Sequence, residues 1–193
     1  MNKSEVLVIG AGGHAKVASE IIRQNGWNVA AYIDEGATAG IFQGKSVFKT
    51  LDAARNSHSE VKHAFVAIGA NNFRRKWHLF LTENGYNIPM FIHRTAWVSE
   101  SASIDAGSIV CANAVVGADC KVGPGAIINC GTILDHDSKV GAFTHLSQGV
   151  IAGGAVHIGN NVLIGPGSTL EKLSVIDNDA QISAMSHIAT ARQ

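Results

Sequence analysis

A basic excess, long apolar runs and paired cysteines are all missing from this 193-residue sequence. Fifteen Lys and Arg balance fifteen Asp and Glu. A polyanion selects a basic surface, so the balance argues against a nucleic-acid partner. No run of roughly eighteen apolar residues occurs, which excludes a spanning helix and predicts no membrane partner. The opening Met1-Asn2-Lys3-Ser4-Glu5 passes straight into a short apolar strand and a Gly-rich loop, which is not a signal-peptide pattern. The cysteines are only three, Cys111, Cys120 and Cys130. Their odd number and lack of metal-type spacing predict reduced thiols in a cytoplasmic protein.

What is present falls into two textures, divided near residue 93. Residues 1–92 read as a Rossmann-like α/β domain of nucleotide-binding pattern. Val6 to Ile9 is a buried strand, Gly10-Ala11-Gly12-Gly13 a turn, and Ala15 to Gln24 a helix. Val29 to Ile33 and Ala64 to Ile68 are further strands, Asn71 to Glu83 a second helix, and Ile88 to Ile92 a last strand. This alternation predicts a parallel sheet.

Residues 93–193 lose helical periodicity. Every sixth residue from Val98 to Ile188 is apolar, sixteen in all, and fifteen of them are Val, Ile or Leu. Ala152 is the undersized member. The position two before each is small or β-branched, and Gly follows at Gly117, Gly123, Gly141, Gly153, Gly159 and Gly165. One aliphatic side chain per six residues is what each face of a triangular parallel β-helix buries. Sixteen hexads make about five coils of a left-handed β-helix. Gly is expected to supply positive φ in the turns, and no protruding loop is expected between residues 96 and 190.

Gly10-x-Gly12-x-x-Ala15 follows a strand and opens a helix, the context in which backbone N–H groups cradle phosphate. Asp34 ends the second strand, where a carboxylate can accept from a ribose or base. The Gly69-Ala70-Asn71-Asn72 edge lies at the same end of the sheet. With only one such half, a nucleoside diphosphate fits better than a dinucleotide.

Of nine histidines, His58, His63 and His78 are expected at the surface. His136 stands between Asp135 and Asp137 and is the best general-base candidate, because a flanking carboxylate sets the tautomer and stabilises the imidazolium. His145 and His157 fall one residue before a core position and must point outward. Their spacings of 9 and 12 from one histidine to the next do not match a zinc anhydrase of similar architecture, so no metal is expected.

These features together resemble the sialic acid O-acetyltransferase NeuD family, and within it the PglD-like N-acetyltransferases of nucleotide-linked 4-amino sugars. The markers are Gly10-Ala11-Gly12-Gly13-His14, Ile68-Gly69-Ala70-Asn71-Asn72-Phe73-Arg74, Ile92-His93, Asn129 and Leu134-Asp135-His136-Asp137 with His145 beyond. The resemblance implies an acetyl-CoA-dependent acetyltransferase of surface-glycan biosynthesis, with a UDP-4-amino-4,6-dideoxy sugar as acceptor. It implies His136 as base with Asp137 as its partner, and Asn129 in the acceptor pocket. Gly10, Gly12, Gly13, His14, Gly69 and Asn71 would hold the sugar diphosphate side and Asp34 the nucleoside. His145, Gly154, Gly165 and Pro166 would meet acetyl-CoA. It further implies a homotrimer with intersubunit active sites. O-acetylation of sialic acid and a non-catalytic nucleotide-sugar-binding subunit stay open as alternatives. Family members usually continue past the last coil in a Gly-x-Pro-Ala-Lys-type tail; this sequence reads Thr190-Ala191-Arg192-Gln193 there, which implies either a different hold on the adenosine end of CoA or a reduced affinity for it.

Overall fold

The computed structural model describes residues 4–38 and 40–190. The expectation placed on the C-terminal Ala191-Arg192-Gln193 therefore lies outside the described residues, as do Met1, Asn2 and Lys3. The chain divides into two compact units, Met1–Phe91 and Ile92–Gln193.

In the first unit β1 is Glu5–Ile9, α1 Gly13–Gln24, β2 Asn28–Ile33, β3 Ile41–Phe42, β4 Lys45–Phe48, α2 Leu51–Ser57, β5 Ala64–Val66 and α3 Asn71–Glu83. The sheet order is β3-β4-β2-β1-β5. β1 pairs in parallel with β2 and β5, and β2 with β4. The central strands carry apolar residues on both faces, as a helix-covered parallel sheet requires: Leu7, Ile9, Ala31, Ile33 and Val66 are buried on one face and Val8, Tyr32 and Phe65 on the other.

Three local features depart from expectation. An antiparallel hairpin, β3–β4, turns at Gln43 and Gly44, both at positive φ. The short α2 follows it, capped by Thr50, whose Oγ1 accepts from Ala53 N. The strand expected over 88–92 is only Phe91–Ile92, and Ile92 packs on the core of the second unit. His78 is a correction: it is buried, on the same face of α3 as Arg74 and Leu81, while His58 and His63 are half-covered.

The second unit is the left-handed β-helix. Two-residue strands recur every six residues from Trp97–Val98 to His187–Ile188 without an interrupting loop. Each pairs in parallel with the strand eighteen residues on; Val115-Val116 pairs with Ile133-Leu134, which pairs with Ile151-Ala152. The expected core column from Val110 to Ile176 is buried in one cluster. The small position two residues earlier does more than fit. Ser108, Ser138, Thr144 and Ser168 each donate to a carbonyl fifteen residues on and accept from an amide eighteen residues on, stitching successive coils.

The glycine expectation needs a correction. Gly117, Gly123, Gly141, Gly153, Gly159 and Gly165 are not among the positive-φ residues. Their reason is crowding: a Cβ on Gly117 would stand 2.7 Å from His136 N, and one on Gly141 2.5 Å from the Gly159 carbonyl. Positive φ occurs two residues later instead, at every sixth position from Gly107 to Met185. Gly, Asn or Asp fills most of these corners, but Phe143, Ala155, Leu173 and Met185 adopt the left-handed conformation too, at a cost of about 1–2 kcal/mol each. No helix among the described residues is long and apolar enough to cross a membrane.

Gly141→Ala should therefore lower stability by about 1–3 kcal/mol, the usual penalty of overpacking. Chemical denaturation reads this; a wild-type midpoint would mean that the coils are not stacked at this separation.

Candidate functional site

Functional side chains cluster in two places, one in each unit. In the first, the loops after β1, β2 and β5 enclose a cleft of about 410 Å³. Gly10, Gly12, Gly13, His14, Asp34 and Gly69 line it, together with Glu35, Gly36, Ile68, Phe73 and Trp77. Gly10 has φ +103°, and a Cβ there would press on Ala67 O at 3.0 Å, so only glycine lets the β1 and β5 loops approach. Gly12 and Gly13 have open space where a side chain would project, leaving the start of α1 accessible. Asp34 Oδ2 accepts from Ala11 N at 2.8 Å and Oδ1 from Gly36 N at 3.0 Å. The carboxylate thus braces the glycine loop as well as facing the cleft.

Asn71 is not among the lining residues; its Oδ1 accepts from Arg74 Nη2 at 2.8 Å. Glu35 and Trp77 were not singled out from the sequence, and Phe73 and Arg74 stood there only inside the Ile68–Arg74 marker, with no role of their own. The helical period offered a signal for the last: Arg74, His78 and Leu81 follow i, i+4, i+7 spacing, the buried stripe of α3.

In the second unit, His136 sits on a corner of the prism. Its Nδ1 donates to Asp137 Oδ2 at 2.7 Å, and its backbone N–H donates to Asp135 Oδ1 at 2.7 Å. Asp137 occupies the left-handed corner position, φ +60°, which turns its carboxylate back onto the ring. The neutral imidazole therefore carries its proton on Nδ1, and Nε2 keeps a free lone pair. Gly154, one coil further, faces that nitrogen: a Cβ there would stand 2.8 Å from His136 Nε2. The ring is solvent-exposed, and its hydrogen bond to Asp137, with the charge of Asp135, raises its pKa above the ordinary histidine value.

Asn129 and His145 form a second pair on a different corner. Asn129 Oδ1 accepts from Cys130 N at 2.8 Å, which orients the amide so that Nδ2 donates to His145 Nε2 at 3.1 Å. Asn129 is buried and His145 half-covered. Gly165 lies on the corner of Asn129, two coils on, where the backbone of Ala184 crowds it; Pro166 follows it and accepts from Met185 N. His157 lies on another face, alongside Lys139 and Val175. The three histidines thus do not converge. Cys111 is buried, its thiol pushed up to about 12, and Cys120 donates to Asp135 O at 3.1 Å, so neither is an activated thiolate.

Residues 5–79 match the model of the PglD N-terminal domain. The acetyltransferase domain of PglB from Neisseria gonorrhoeae FA1090 is 32% identical, with 99% of this chain and 94% of that one covered and a TM-score of 0.91. The chain belongs to the PglD-like family of hexapeptide-repeat sugar acetyltransferases. A structure of the same Neisseria domain in complex with acetyl coenzyme A is also similar, at 31% identity over 97% of this chain and 94% of that one, TM-score 0.88. PerB from Caulobacter crescentus, in complex with CoA and GDP-perosamine, shares 30% identity over 97% of this chain and 92% of that one, TM-score 0.68.

The His136–Asp137 pairing leads to a direct measurement. Followed by NMR, the His136 ring should titrate above the ordinary histidine value, and Asp137→Asn should move that titration down. A titration unmoved by the substitution would refute the pairing.

Proposed function

We propose that this chain transfers the acetyl group of acetyl-CoA to the amino group of a nucleotide-linked amino sugar, with His136 as general base. The carrying observation is the His136–Asp137 pair, whose Nε2 lies against Gly154, where any side chain would collide with it. The relatives crystallised with acetyl coenzyme A, and with CoA and GDP-perosamine, support both substrates. The glycine-loop cleft takes the nucleotide: Gly12, Gly13 and His14 hold the diphosphate at the start of α1, and Asp34 bounds the nucleoside.

The acceptor amine attacks only when neutral. His136 Nε2 takes a proton from the neutral amine as its nitrogen bonds to the thioester carbon, and Asp137 stabilises the imidazolium. The tetrahedral intermediate collapses by breaking the C–S bond, and the imidazolium returns the proton to the CoA sulfur. His145, neutral with its proton on Nδ1, stands on the acetyl-CoA side with Gly154, Gly165 and Pro166. No acyl-enzyme intervenes, and orientation of two bound substrates supplies much of the acceleration.

The assembly follows from where the two pairs lie. His136 ends the strand Ile133-Leu134 on one edge of a prism face, and Asn129 precedes that strand on the other edge, with His145 beyond it. One whole face separates them within a chain. That face carries an outward apolar ladder, Trp97, Val115, Ile133 and Ile151, with Trp97 58% and Ile151 46% exposed. A homotrimer that buries this ladder brings the His136 edge of one subunit to the Asn129–His145 edge of the next. The three free thiols are consistent with a reducing compartment, and we place the protein in the cytoplasm.

Acetyl transfer to UDP- and GDP-linked 4-amino sugars, followed by thiol release, should fall about 10²–10⁴-fold in His136→Ala, the usual worth of a general base. Activity retained within about tenfold would refute the base assignment. The double variant Ile133→Glu/Ile151→Glu should sediment as a monomer and lose transfer; an active monomer would remove the intersubunit site.

A further inference from the structure

Arg74 is buried to 1% exposure, the largest fully buried side chain among the described residues. It lies in the fourth residue of α3, close to the positive end of the helix dipole, where a cation is disfavoured. Burial pulls its pKa down to about 9, which still leaves it charged at neutral pH. Placing a charge there opposes both solvation and the helix dipole, so a specific geometry must compensate. That geometry is a fan of hydrogen bonds to one loop: Nη1 donates to Ile68 O at 3.0 Å and Gly69 O at 2.8 Å, and Nη2 to Asn71 Oδ1 at 2.8 Å. Ile68 and Gly69 border the cleft across from the glycine loop. Because a trans peptide is planar, a carbonyl drawn toward the guanidinium leaves the next N–H facing away from it.

We infer that Arg74 is a positioning residue of the cleft: it draws the Ile68 and Gly69 carbonyls into the protein and so presents the Gly69 and Ala70 amides to an acceptor oxygen of the nucleotide sugar. This rests on the reading of the cleft as the nucleotide-sugar site. It gives Asn71 a structural part in that site, as the third anchor of the guanidinium, without contact to the ligand. Lys cannot replace Arg here, since a single ammonium lacks the planar fork that reaches two carbonyls and an amide at once.

The test is Arg74→Lys in the full-length protein. KM for the nucleotide sugar should rise about tenfold, as expected for loss of one or two oriented hydrogen bonds, while kcat and KM for acetyl-CoA stay within about twofold. Calorimetric titration with UDP and GDP should show the same weakening. In Arg74→Gly, added guanidinium chloride at millimolar concentration should restore part of the affinity. A folded Arg74→Lys with wild-type nucleotide-sugar KM overturns the inference, as does a parallel loss of kcat and both KM values, which marks a general structural role. Should Arg74→Lys fail to fold, Asn71→Ala, which removes the Nη2 anchor, should raise the nucleotide-sugar KM about threefold; no rise overturns the inference. A wild-type protein that binds UDP or GDP but transfers no acetyl group would sink the proposed function and leave the Arg74 test intact through the titrations.

Discussion

The eighteen-residue register between coils is the constraint on which the second unit depends. Each strand is two residues long and has no stability alone. Backbone amides bond to carbonyls seventeen residues on, as from Gly117 N to Leu134 O and Ile133 N to Val150 O. Everything else answers to that ladder. Three corners per coil require the chain to turn every six residues, and each corner takes one left-handed residue. The coils pass so closely two residues before it that Gly117, Gly141 and Gly159 have backbone where a Cβ would be. Hydroxyls of Ser108, Ser138, Thr144 and Ser168 satisfy amides and carbonyls at the corners, which would otherwise be buried without partners.

The same ladder sets the geometry of the chemistry. His136 is on a corner, so its ring stands clear of the core and meets solvent. Asp137 takes the left-handed corner position, and its side chain therefore returns to the ring beside it rather than to the next coil. Gly154 is the residue stacked on His136, and its missing side chain keeps Nε2 accessible. A rigid prism can hold these groups with little reorganisation, which favours electrostatic stabilisation of a developing imidazolium. The rigidity also has a consequence: within one chain, groups on opposite edges of one face cannot close on each other.

The first unit uses a different economy of parts. Its cleft is built from the ends of three parallel strands, where carbonyls and amides leave the sheet. The loops are held by polar groups instead of hydrophobic packing. Asp34 braces the β1–α1 turn, and Arg74 braces the β5–α3 turn. Each is a charged residue whose position makes sense through the backbone it restrains. Their opposite charges match what each restrains: a carboxylate on two amides, a guanidinium on two carbonyls.

How far the sequence reaches can be judged from particular residues. The hexad register was readable because the core column is strictly periodic, and α3 because its ends carry Asn71 and Asn84-Gly85. The β3–β4 hairpin was not, since its strands are too short for any period, and its turn residues Gln43-Gly44 carry no strong hairpin signal. Helix α2 had a readable cap in Thr50 but too few turns to show a stripe. The His136–Asp137 contact was foreseeable from adjacency. The Asn129–His145 contact was not, because it joins residues sixteen apart that only the coil register brings together. The sequence by itself determined the period, the glycine loop and the adjacency of His136 and Asp137, all of which are local in the chain. Tertiary structure alone decided why the glycines are there, which tautomer His145 holds and which carbonyls the buried Arg74 binds, because those depend on atoms sixteen to eighteen residues away or on the path of a loop.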